Sequence, residues 1–105
     1  MKRKITVSHK EYEMQKIDVD TYIEYLEISE KIDGKQRYSK ADIEAMLLFI
    51  AKVYGNQFTV EELKDRETGV DAAGIILEFQ FIEMSVAEEM ERKMKKIQEN
   101  FQNGK

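Results

Sequence analysis

Asp71-Ala-Ala-Gly-Ile-Ile-Leu-Glu-Phe-Gln-Phe-Ile-Glu-Met-Ser-Val-Ala-Glu-Glu-Met90, running on unbroken to Gln102, is the stretch on which the fold turns. The chain contains no proline. Apolar residues recur in steps of three and four at Ile76, Phe79, Ile82, Val86, Met90, Met94, Ile97 and Phe101, which keeps them on one helical face. A helix of this length measures roughly 45–50 Å at 1.5 Å per residue, more than a small domain is wide. Its halves differ. Ala73, Leu77, Phe81 and Met84 broaden the apolar face of the first half, which predicts burial on more than one side. After Ala87 only Met90, Met94, Ile97 and Phe101 remain apolar at the same spacing, among Glu88, Glu89, Glu91, Arg92, Lys93, Lys95, Lys96 and Glu99. The first half therefore reads as core, and the second as a projecting arm that needs a partner.

Working outward, the 105 residues suit a single domain: a hairpin over 1–17, a helical core over 18–87 and a charged carboxy-terminal arm over 88–105. Apolar residues at 42% support a folded core, and charged residues at 36% a helical, well-solvated surface. The absence of cysteine fits a reducing cytoplasm. No apolar run is long enough to cross a membrane, and the basic start lacks the apolar segment of a signal peptide. Charge is uneven: residues 1–16 carry net +3, residues 17–87 net −8 and residues 88–105 net +1. An acidic middle repels a phosphate backbone, so no nucleic-acid partner is expected. The Lys2-Arg3-Lys4 cluster reads as a solvated terminus.

Upstream, Ile5 and Val7 alternate with polar neighbours, as do Tyr12 and Met14, and His9-Lys10 has turn length. An amino-terminal hairpin follows. Asp18, Asp20 and Thr21 all offer helix caps, with Thr21 and Glu24 at capping-box spacing; Tyr22, Ile23, Leu26 and Ile28 supply the apolar face, and Asp33-Gly34 the stop. Ser39 and Asp42 open a second helix bearing Ile43, Met46, Leu47, Ile50 and Val53. Thr59 and Glu62 form another capping box, with Phe58 and Leu63 as a hydrophobic staple. The expected fold is α+β and mostly helical: an amino-terminal β-hairpin, then about four helices, the last long and carboxy-terminal.

Catalytic chemistry finds no foothold. The single histidine, His9, has no second ligand or base near it. Asp18-Val-Asp20 suits helix capping better than a cation. There is no Gly-rich phosphate loop, and no serine sits in a nucleophile elbow. Catalytic, cofactor and metal sites are therefore all expected to be absent, and the chain reads as non-enzymatic.

The order of elements and their wording resemble the small tail assembly chaperones of long-tailed bacteriophages and prophages. The residues concerned are Asp20-Thr-Tyr-Ile-Glu-Tyr-Leu26, Tyr54-Gly-Asn-Gln-Phe58, the step Gln57-Phe-Thr-Val-Glu-Glu-Leu-Lys-Asp65, and Ile75-Ile-Leu77 ahead of a charged tail. The resemblance implies a protein that binds the hydrophobic tape measure protein in the host bacterial cytoplasm, keeps it soluble, helps recruit tail tube subunits and is lost from the mature virion. It also implies a ribosomal frameshift near the end of the short form, whose slippery heptamer can encode the Gly104-Lys105 dipeptide found here. Such a chaperone needs adaptable apolar surface rather than a catalytic group. Phe81, Met84, Met90, Met94, Ile97 and Phe101 are the expected partner-binding residues, and the same stripe could join copies of the chain. The rival reading is a small regulatory protein, a helix-turn-helix DNA binder or an antitoxin-like partner binder, since Thr59 to Ile82 spells helix, glycine turn, helix. Against the DNA form, Gly69 to Glu83 carries Asp71, Glu78 and Glu83 and no basic residue.

Overall fold

Alternation and capping place the six elements in the computed structural model, which describes residues 3–103, with side chains through residue 100. They are β1 (Lys4–Val7), β2 (Lys10–Glu13), α1 (Val19–Ile32), α2 (Lys40–Val53), α3 (Val60–Leu63) and α4 (Ala72–Asn103). The strands pair antiparallel, Ile5 opposite Tyr12 and Val7 opposite Lys10. The turn is Ser8-His9, one residue earlier than the sequence suggested. Both residues have positive φ, 51° and 66°, as a two-residue type I′ turn requires.

A lone hairpin is marginal and must be tied down. The Ser8 N–H donates to the Thr68 carbonyl at 2.9 Å, and the Gln15 N–H to the Val53 carbonyl at 2.9 Å. Ile5 and Val7 are buried on the helices. The Thr68 carbonyl is itself positioned by a tight loop in which the Glu67 and Thr68 N–H groups donate to Asp65 Oδ1, both at 2.9 Å. Gly69 is required in that loop, because a Cβ there would fall 2.4 Å from the Leu63 carbonyl oxygen.

Asp18 caps α1, accepting from the Thr21 N–H at 2.8 Å, so Thr21 is the third helical residue rather than the cap. Ser39 and Thr59 form full capping boxes with Asp42 and Glu62. Gly34 (φ 74°) and Gly55 (φ 78°) supply the left-handed residues after α1 and α2. Asp71 accepts from the Gly74 N–H at 2.8 Å and opens α4.

The core gathers Met46, Phe49, Ile50, Val53 and Tyr54 around α2, Leu63 of α3, and Ile75, Phe79, Ile82 and Val86 of α4. Phe49 and Phe79 meet edge to face at 5.6 Å, and Tyr25 lies 6.2 Å from each. The Tyr25 hydroxyl (3.1 Å) and the Ser29 hydroxyl (3.0 Å) donate to Glu83, which binds α1 to α4 in antiparallel sense. The molecule measures 57 × 33 × 20 Å, its long axis set by a 32-residue helix that outreaches the rest.

Two helix faces differ from expectation. On α1 the inward residues are Thr21, Tyr25, Ile28 and Ile32, leaving Val19, Ile23 and Leu26 largely exposed. On α4 the second apolar set does not enter the core: Ala73, Leu77, Phe81 and Met84 are exposed, and one face alone is buried. The hairpin and α2 already cover that face, and among the described residues no element lies behind the helix to cover the other.

Candidate functional site

Where α4 leaves the core, its inward stripe continues into solvent. Val86 is 6% exposed, Met90 42%, Met94 57% and Ile97 65%, and every residue from Ala87 to Asn100 is exposed. Three- and four-residue steps hold Met90, Met94 and Ile97 on the side that Phe79, Ile82 and Val86 bury lower down. Three of the six expected partner-binding residues thus belong to this line, and the Phe101 side chain lies outside the described residues.

At the root of the arm the stripe forms one wall of a groove of about 580 Å³. Val86 and Met90 of α4 face Met14 and Ile17 of the β2–α1 link and Val19 and Tyr22 of α1. The walls are apolar and the rims carry both signs, Lys16 and Lys93 with Asp18 and Glu89. The Thr21 hydrogen bond holds the Asp18 carboxyl below its ordinary value. An amphipathic helix or extended apolar segment with charged flanks fits such a groove.

Phe81 and Met84 belong to a different surface. At about 100° per residue they fall, with Leu77, on the back of α4, away from the groove. Phe81 is also partly covered: the Arg3 guanidinium lies 4.4 Å from its ring centroid, at cation–π distance. That arginine was expected to be solvated. Instead it reaches Glu78 with two bonds, Nη2 to Oε1 at 2.8 Å and Nε to Oε2 at 3.1 Å. The Tyr54 hydroxyl donates to the same carboxylate at 2.7 Å. Burial, followed by the Glu78 carboxylate, pushes the Tyr54 phenol well above its ordinary value, and the Glu78 hydrogen bond raises Arg3. Glu78 is 5% exposed, and among the described residues no buried side-chain polar atom lacks a partner. Each member of this cluster is accounted for as structure by its hydrogen bonds.

The same geometry counts against a DNA-reading helix, because the candidate recognition segment buries Ile75, Glu78, Phe79 and Ile82 inside the fold. Among the described residues no helix is long and apolar enough to cross a membrane, and no cluster of three or more acidic or histidine side chains could hold a metal ion. Sequence reading missed the outer face of α1, where Val19 (74% exposed), Ile23 and Leu26 form a second apolar stripe that starts at the groove. Its spacing of four and three was visible; its outward direction was not.

A family model described as phage tail chaperone protein matches residues 1–103. No curated protein and no solved structure matches the chain.

Proposed function

The chain belongs to the phage tail chaperone family, a non-enzymatic one, and from that premise we propose that it binds the tape measure protein during tail assembly and helps bring tail tube subunits to it. It acts in the host bacterial cytoplasm and is absent from the finished virion. The observation that carries this reading is the unpartnered apolar line Met90-Met94-Ile97 leading from solvent into the groove at Val86. A long hydrophobic client built of helical segments needs a partner that covers apolar side chains without a fixed jigsaw fit. Methionine supplies that tolerance, since its unbranched, polarisable side chain adapts to irregular surfaces. Charged residues on the rest of the arm keep the complex in solution.

Co-expression with the tape measure protein tests the reading. The chaperone is expected to keep that protein in the soluble fraction and to co-purify with it. Met94→Glu and Ile97→Glu, both on exposed positions, are expected to lower recovery of the complex at least tenfold while leaving helix content unchanged. Equal recovery with both variants would remove the arm from the client site.

A further inference from the structure

We propose that the arm of α4 pairs antiparallel with the arm of a second copy of this chain, so that each arm's tip is delivered to the groove at the other's root. The proposal rests on the arm assigned to client binding, and it concerns the free chaperone.

Three observations point to a second copy. First, Ala87, Met90, Met94, Ile97 and Phe101 recur at alternating steps of three and four, the spacing of a two-helix seam. Second, the seam's charges are segregated along the arm. Residues 88–91 hold three acidic side chains and no basic one, and residues 92–96 hold four basic side chains and no acidic one. A parallel, in-register pair sets like charge beside like charge over the whole length. An antiparallel pair centred near Arg92 sets each acidic block beside the partner's basic block, an arrangement that both attracts and fixes orientation. The contacts within the arm, Glu89 with Arg92 and with Lys93 (3.5 Å), are exposed and bind weakly enough to be exchanged.

Third, this register finds a place for the apolar residues. With the two-fold near Arg92, Met94 of one copy meets Met90 of the other, and Ile97 meets Ala87 beside Val86. Val86 and Met90 are the α4 wall of the groove, so the seam does not end at the arm but continues between Val19, Tyr22 and Ile17 of the other copy. Two heptads make a short coiled coil, and the groove extends its apolar surface past the arm.

Light scattering on the full chain at micromolar concentration is expected to give about twice the 12.4 kDa of one chain. Met94→Glu is expected to return it to monomer with helix content retained. The chain contains no cysteine, so orientation can be read from single-cysteine variants. Oxidation of an equimolar mixture of Ala87→Cys and Ile97→Cys is expected to give the mixed disulfide almost alone. A monomer throughout the micromolar range, or efficient self-linking by each variant alone, would overturn the proposal. The failures are separable: a monomer that still captures the tape measure protein refutes the dimer and leaves the functional reading, whereas a dimer that captures none does the reverse.

Discussion

Glu78 is the residue at which local pattern and tertiary structure disagree most. A carboxylate between Leu77 and Phe79 on a long helix looks like a solvent-facing position. Here it is buried, and it persists because Arg3 grips it with two hydrogen bonds and Tyr54 with a third. Removing one partner of such a pair costs more than removing both, since the survivor stays desolvated. Arg3→Met is expected to destabilise the protein by about 2 kcal/mol, below the 3–5 typical of full burial because the Arg3 side chain is 32% exposed. Adding Glu78→Leu removes the stranded charge but leaves the buried Tyr54 hydroxyl without its acceptor, so it should restore only part of the loss. Urea midpoints of the two single variants and the double variant give the coupling directly, and additive losses would show that the two side chains act independently.

The elements were legible to different depths, and the difference is one of range. Capping is local: Ser39 with Asp42 and Thr59 with Glu62 are three apart and were read correctly, as was the stop at Gly34. The long terminal helix was equally plain, because an uninterrupted period leaves little else to form. Periodicity reveals that an apolar face exists, however, not which neighbour covers it. Val19, Ile23 and Leu26 are spaced as well as Thr21, Tyr25 and Ile28, yet only the second set meets α2 and α4. The hairpin turn slipped by one residue because Ser8 and His9 both adopt positive φ without glycine or asparagine to announce it.

At the start of α2 the local reading has a pH consequence. Lys35 Nζ lies 2.7 Å from Asp42 Oδ2, and this contact, followed by the Ser39 N–H, holds the Asp42 carboxyl below its ordinary 3.8. Because the folded value is the lower one, the stabilisation is fully present above pH 3.8 and is lost as pH falls through the depressed folded value. Asp42→Asn should therefore lower stability near neutrality and flatten its decline between neutral pH and strong acid. Urea midpoints measured across that range test this, and parallel curves for the two proteins would show that Lys35 contributes nothing through charge.

On the scale of the whole molecule, the core and the arm are joined end to end on a single helix. The core's last α4 member is Val86, and from Ala87 to Asn100 every residue is exposed, with Met90 partly covered at the groove. Folding stability arises from area removed from water, so residues 88–100 contribute little to it. Exposed apolar side chains carry a cost in solubility, which supports the proposal that they are covered by a partner. A chain ending at Ala87 is expected to unfold within about 1 kcal/mol of the full chain, the loss coming from helix fraying and from Met90 at the groove. The same truncation should abolish both self-association and co-purification with the tape measure protein. A large fall in urea midpoint would mean that the arm folds back on the core in solution. Retained client binding would move the site to the outer face of α1, with Val19, Ile23 and Leu26, or to the back of α4, with Leu77, Phe81 and Met84. Loss of binding with stability unchanged assigns recognition to the arm and leaves the hairpin and the first three helices as the platform that holds it out.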